Sequence, residues 1–322
     1  MTLSSIAKKL SDEDKARELM ERLRWPDGRP MCPHCGSVDR VYRIMSMPGS
    51  STRKGLLKCA ACRQQFTVTV GTIFEDSHIP LSKWLMAIQL LCASKKGMSA
   101  HQLHRMLGIT YKSAWFMAHR IRAAMGRPPL SDKLRGIVEA DETYVGGHQK
   151  DGRGRPAPGT KAAVMTLVER GGDARSFHVD RVTSKNLRAI TREHIDAMAH
   201  VMTDEAAQYK FYVKKDHARH DTVKHAAGQY TRKTIMRGPD GEYVRGPLAH
   251  TQSVDNYYSL LKRGIYGVYH HVSKKHLHRY LSEFDYRYNR RGIKDGERAA
   301  QVVPGAEGKR LMYKIPAGGG SV

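Results

Sequence analysis

The 322-residue chain is longer than one hydrophobic core usually serves, and its 40% hydrophobic content is ordinary for a globular protein; this excludes wholesale disorder and predicts two or three domains. An excess of 55 Lys and Arg over 31 Asp and Glu leaves a net charge of +24, a field that attracts polyanions, nucleic acid above all. No run approaches the roughly 20 apolar residues of a membrane helix, and the start "MTLSSIAKKLSDEDK" has no signal-peptide core, so a soluble intracellular protein is expected.

In chain order, Ser11 and Asp14 read as a capping box that opens a helix. Leu19, Met20, Leu23 and Trp25 supply its apolar stripe, and Pro26-Asp27-Gly28 ends it. Residues 30–75 form a β-rich module between Cys32-Pro-His-Cys35 and "QFTVTVGTIF". "LSKWLMAIQLLCAS" is a helix, and "SAHQLHRMLGITYKSAWFMAHRIRAAM" is two helices about a turn at Gly108. "GRPPLSD" (126–132) is a linker.

The period then changes to two. "GIVEADETYVG", "KAAVMTLVER" and "RSFHVDRVT" read as neighbouring strands, the first two joined by a Gly/Pro/basic loop. The helix "SKNLRAITREHI" and the strand "AHVMTDEAAQY" follow, which predicts a mixed sheet covered by helices. "TQSVDNYYSLLKRG" and "SKKHLHRYLSEFDYRYNRR" are the last helices, and "PAGGGSV" is a disordered tail.

Four of the five cysteines form two CxxC pairs, Cys32/Cys35 and Cys59/Cys62. Each CxxC turn presents two thiolates to one ion, and two turns complete a tetrahedron, so one structural Zn²⁺ is expected. Gly36 and Arg63 follow the pairs, as in tight knuckles; His34 is taken as a non-ligand and Cys92 as a core residue.

In the helical pair, Leu103, Met106 and Leu107 pack one helix, and Ala114, Ala118, Ile121 and Met125 recur on the other. This is helix-turn-helix spacing. The opposite face carries Lys112, Trp115, His119 and Arg122, groups suited to phosphates and base edges.

Three acids stand out by context. Asp141 ends the first strand of the β region, Asp204 ends a later strand, and Asp255 opens a helix whose Lys262, seven positions on, shares its face. Two-metal phosphodiester chemistry needs divalent ions roughly 3.5–4 Å apart, held by carboxylate oxygens. A strand-end Asp can also serve only as a turn or cap. Glu139, Glu142 and Glu205 are rivals beside these acids, read as outer or surface residues.

These segments resemble the IS1595 family of bacterial insertion-sequence transposases, with an ISXO2-like catalytic domain. "LRWPDGRPMCPHCGS" and "CAACRQQFTVTVGTIFEDSHIPLSKWL" resemble its N-terminal zinc ribbon and the segment after it. "VEADETYVGG" and "TDEAAQY" are similar to its first and second catalytic motifs, and "SLLKRGIYGVYHHVSKKHLHRYLSEFDYRYNRR" to its C-terminal signature. The resemblance implies an α/β multidomain chain: an N-terminal helix and zinc ribbon (1–75), a helix-turn-helix (76–130), an RNase H-like DDE mixed-sheet domain (131–290) and a basic C-terminal tail (291–322). It implies two Mg²⁺ or Mn²⁺ ions on Asp141, Asp204 and Asp255, with Lys262 on DNA phosphate. The partners implied are double-stranded DNA, as terminal inverted repeats and target, and a second copy of the chain; the setting is the bacterial cytoplasm and nucleoid. Asp255 and Gln252 stand where the family usually has Glu or Asn and often has Asn, with Asn256 an alternative ligand one position on; His270 and His271 match the family with no assigned role. A DNA-binding protein without catalysis and a metal-dependent nuclease remain the other readings.

Overall fold

The computed structural model describes residues 10, 12–45, 49, 52–127, 132–146, 161–237 and 240–312. They fall into two units, 1–127 with 292–322, and 128–291.

The first unit opens with α1 (Glu13–Arg24), capped by Asp12, whose side chain accepts the Asp14 N–H. The expected capping residue, Ser11, lies outside the described residues. Met20 and Trp25 are buried, as the apolar stripe requires. Strands β1 (Val41–Arg43), β2 (Leu57–Cys59) and β3 (Gln65–Phe66) make an antiparallel sheet. Helices α2 (Leu81–Ala93), α3 (Ala100–Leu107) and α4 (Tyr111–Met125) follow. Gly108 stops α3 at φ 57°, a left-handed conformation that glycine adopts without a Cβ penalty. Trp84, Ile88, Leu91, Leu103, Met117 and Ile121 fill this core, and Cys92 is buried as expected.

The second unit is built on a five-stranded sheet of β4 (Ile137–Gly146), β5 (Lys161–Glu169), β6 (Ala174–Val179), β7 (His200–Thr203) and β8 (Arg219–Thr222). The order is β6-β5-β4-β7-β8. The hairpins β4/β5 and β5/β6 are antiparallel, and β4/β7 and β7/β8 are parallel. The crossover from β6 to β7 is α5 (Ser184–His194); the short α6 (Val213–Asp216) precedes β8. An outlying ribbon, β9 (Ile235–Arg237) with β10 (Tyr243–Arg245), comes before α7 (Gln252–Gly264) and α8 (Lys274–Asn289).

The pleat sorts the central strand. Val138 and Ala140 enter a core with Met165, Leu187 and Tyr209, while Val145 enters another with Val254, Tyr257 and Leu277 of α7 and α8. Helices therefore cover both faces, as predicted. The expected loop between β4 and β5 lies at 147–160, outside the described residues, as does the end of the chain from 313.

The sequence signals no element between Tyr209 and Thr251, and α6, β8 and the ribbon are found there. The β8 residues Arg-His-Asp-Thr are polar and all half-buried, so they carry no alternation to read. The segment expected as a basic C-terminal tail groups from Gly292 with the first unit, where α9 (Asp295–Ala300) is followed by a 3₁₀ turn at Pro304–Ala306. Arg298 donates to the Cys92 carbonyl at 2.7 Å. Lys309 Nζ donates to the carbonyls of Ala123 and Gly126 at 3.0 and 2.8 Å.

Candidate active site and metal centre

The four expected cysteines converge: their sulfurs all lie within 4.8 Å of one another. Cys32–Cys62 and Cys35–Cys59 are each 3.6 Å apart. A tetrahedron with zinc–sulfur bonds of ~2.3 Å has edges of roughly 3.8 Å, so the donor set and its size fit zinc. The knuckles are shaped as the sequence implied, with φ of 73° at Gly36 and 61° at Arg63. The backbone amides of Cys62 and Ala61 are directed at the Cys59 sulfur and lower its pKa to about 6, which favours the thiolate. His34 is exposed and stands outside the cluster.

In the second unit, β4 and β7 are in parallel register up to Glu139↔Met202. Asp141 and Asp204 each lie two residues beyond that last pair, Asp204 just past the carboxyl end of β7 and Asp141 still within β4. Asp141 was expected to end its strand; it is instead mid-strand, because β4 continues to Gly146 against β5 while its pairing with β7 stops at Glu139. Burial, and then the charges of Asp204, Glu142 and Asp255, raise the Asp141 pKa to about 7. Asp204 Oδ1 accepts the Ala206 N–H at 3.0 Å and shapes the turn after β7. Asp255 lies in the first turn of α7. Partial desolvation raises its pKa, and the nearby charges of His225 and Lys262 oppose the rise. Among the described residues these acids form no group as tight as the cysteines.

Glu142 is on the other face of β4, where Tyr209 donates a hydrogen bond to it. Burial and repulsion from Asp204 raise its pKa to about 7. Glu205 is exposed. A cleft of about 520 Å³ opens beside the acids, lined by Asp204, Tyr209, Lys210, Lys214, His220 and Arg232 among others.

The first unit corrects one expectation. Lys112 is exposed and Trp115 half-buried, but His119 and Arg122 are 0% and 2% exposed. Most of α4 is buried from Met117 on, and Gly305 lies close enough to its C-terminal half that a Cβ would meet the Ala124 carbonyl at 2.5 Å. Trp115 packs on the His119 ring, centroids 4.2 Å apart. His119 and Arg122 are thus buried rather than presented on an open face.

The residue whose part was under-read is Glu139. It is fully buried, and it accepts from the Ser253 and Val254 amides at 2.7 and 3.3 Å and from the Ser253 hydroxyl at 3.0 Å. It thereby caps α7, whose N-cap residue Thr251 makes no side-chain cap. Arg170 Nε donates to the same carboxylate at 2.6 Å, and its two terminal nitrogens reach the Leu248 and His250 carbonyls at 2.8 and 3.1 Å. From above, Tyr258 of α7 donates to the Asp141 carbonyl. The strand bearing Asp141 and the helix bearing Asp255 are therefore tied by one charged clamp. The signal was present: alternation puts Glu139 on the Asp141 face, within an apolar run. His270 and His271 are exposed where a π-helical turn after α7 gives way to α8, and His270 has φ 59°.

A four-thiolate ribbon ahead of a helix-covered mixed sheet with acids at one edge describes a class, the zinc-ribbon transposases of mobile DNA. Residues 11–65 match the transposase zinc-ribbon domain, and residues 133–289 match the ISXO2-like transposase domain. The chain belongs to the IS1595 family of insertion-sequence transposases. An uncharacterized protein in transposable element ISH50 of Halobacterium salinarum is 28% identical over 291 residues, 85% of this chain and 90% of that protein. A chain in the cryoEM structure of the simian T-cell lymphotropic virus intasome in complex with PP2A regulatory subunit B56 gamma is 15% identical. That match covers 60% of this chain and 66% of that chain, just under two thirds, with a TM-score of 0.27, too low to compare folds. No helix among the described residues is long and apolar enough to cross a membrane.

Proposed function

We propose that this transposase binds the ends of its element as double-stranded DNA, cuts them and joins the freed 3′-hydroxyls to target DNA. The observation that carries the reading is that Asp141 of β4 is buried within reach of the charges of Asp204, just past the end of the adjacent parallel strand β7, and of Asp255 on α7. The sheet order, with an antiparallel β4–β5–β6 meander and parallel β7 and β8, supports an RNase H-like assignment. Asp141 is buried beside the charges of Asp204, Glu142 and Asp255, a grouping of carboxylates that a hard cation would relieve.

Asp141, Asp204 and Asp255 would hold two Mg²⁺ or Mn²⁺ ions. When bound, such ions polarise the attacking and leaving oxygens of an in-line displacement. Glu139 and Arg170 keep α7 against the sheet, so the third acid meets the other two. Lys262, on the Asp255 face, offers its ammonium to a DNA phosphate. One phosphodiester replaces another, so joining needs no energy-rich cofactor. In the first unit, the zinc ribbon and α3–α4, as a helix-turn-helix, recognise the terminal repeats, with Lys112 presented to the backbone. Pairing two ends requires at least a dimer, acting on cytoplasmic, nucleoid-borne DNA.

A second reading, DNA binding without catalysis, rests on Asp255, whose carboxylate reaches one methylene less far than the Glu usual there. The test places a marker between the DNA flanks of the gene and supplies the protein as wild type or Asp204→Asn. Movement with wild type alone supports the transposase reading. Binding of the flanks by both proteins with movement by neither supports the second. No binding by either overturns both.

A further inference from the structure

The ribbon β9–β10 is an exposed arm with a firmly held base. All six strand residues are exposed, Tyr243 at 82% and Ile235 at 67%. Its register opposes Tyr243 to Arg237 and Arg245 to Ile235. By pleat alternation these four side chains share one face, and Met236 and Val244 share the other. Two guanidinium groups thus flank an aromatic ring, while Asp240 and Glu242 lie in the connection between the strands.

At the base, Arg232 and Ala249 exchange two backbone hydrogen bonds, of 2.9 and 2.8 Å. Gly246 N–H donates to the Thr234 carbonyl at 2.8 Å, and Arg219 donates to the Ile235 carbonyl at 2.9 Å. Arg232 also binds Asp221 at 2.7 Å and lines the cleft that Asp204 lines. On the other strand, Ala249 is followed by His250 and Thr251 and then by the helix that carries Asp255. The arm therefore rises from the same edge of the sheet as the three acids.

We propose that the arm is a DNA-contact surface: Arg237 and Arg245 engage phosphates of the duplex held at the acid edge, and Tyr243 packs against its sugar–backbone face. The inference rests on the DNA-joining reading above. Charge selects the occupant. A second copy docked face to face across a two-fold axis would bring these arginines against their own counterparts, whereas a phosphate backbone complements them. The arginine–tyrosine arrangement also suits a polyanion with apolar sugar edges better than it suits an acidic peptide.

The experiment uses the full, zinc-loaded chain and a short random-sequence duplex, with binding measured by anisotropy across a salt series. Each phosphate contact contributes about 0.9 to the slope of log K against log salt. Arg237→Gln with Arg245→Gln should flatten the slope by about 1.8, and Tyr243→Ala should weaken binding at every salt with little change of slope. These side chains are exposed, so unchanged circular dichroism spectra and melting verify the fold. If the double variant keeps the wild-type slope and affinity, the arm is not a DNA contact, though the function above stands. If the double variant alters sedimentation while its slope stays the same, the face joins two copies and the proposal is overturned. If wild type binds no duplex, the DNA reading and the arm fail together.

Discussion

Glu139 Oε2 accepts the backbone N–H of Ser253 at 2.7 Å, a bond between residues 114 positions apart. With Arg170 on the same carboxylate, it makes a strand acid serve as the cap of a helix. Removing one partner of a buried pair leaves the other charge uncompensated, so Glu139→Ala should cost about 3–5 kcal/mol in urea unfolding. Glu139→Gln keeps the shape and an acceptor and should cost less. Hydrogen exchange at the Ser253 and Val254 amides gives the local readout: both should exchange faster in either variant. Wild-type exchange rates there would show that other contacts hold the first turn of α7.

The cysteine cluster predicts one zinc per chain in elemental analysis of the purified protein. Cys59→Ser should lose most of that zinc and lower the melting temperature, and a strong chelator should do the same to wild type. Zinc at wild-type stoichiometry in Cys59→Ser would assign the metal elsewhere.

Much of this was legible because it is local. Two CxxC turns fix their own ligand geometry, and alternation along Ile137–Gly146 sorts its faces without help from the rest of the chain. What stayed hidden depends on distant partners. The length of β4 beyond Asp141 is set by β5, not by its own residues. The C-terminal half of α4 is met by a segment that arrives late in the chain: Lys309, which closes the end of α4, is 186 positions from Ala123. Polar residues at helical spacing look like a solvent-facing stripe until such a cover is known.

That cover separates two kinds of variant on α4. Lys112→Ala should leave stability within ~0.5 kcal/mol, as for most surface changes, and flatten the salt slope of DNA binding by about 0.9. Arg122→Ala should cost roughly 1–3 kcal/mol of stability, since it empties a buried position. An Arg122→Ala protein of unchanged stability but weakened DNA binding would return this residue to the DNA-facing set.

At the third acid, Asp255→Glu installs one of the two residues usual in the family and should hold or raise joining activity. Asp255→Ala, which removes the ligand oxygens, should lose more than the 10–100-fold that removal of an outer-shell metal partner costs. The informative measurement is joining at limiting Mg²⁺, where reach matters most. If Asp255→Ala joins as well as wild type at every Mg²⁺ concentration, the third ligand lies elsewhere, with Asn256 the nearest alternative.

His220 should give the second unit one acid-sensitive contribution, opposed by Asp141 and Glu142, whose pKa values of about 7 favour proton uptake by the folded state. His220 Nε2 lies 2.9 Å from the Thr203 hydroxyl, and burial lowers the His220 pKa from 6.5 to about 4. Above pH 6.5 the ring is neutral folded or unfolded and costs nothing. As pH falls below 6.5 the unfolded chain takes up a proton that the folded one refuses, so the His220 contribution drops until about pH 4, by up to about 3 kcal/mol. His200 and His217 are shifted down by burial as well, so the loss is shared. His220→Gln should therefore raise the urea midpoint at pH 4, relative to that at pH 6.5, compared with wild type. Parallel curves for wild type and variant would show that His220 makes no such contribution.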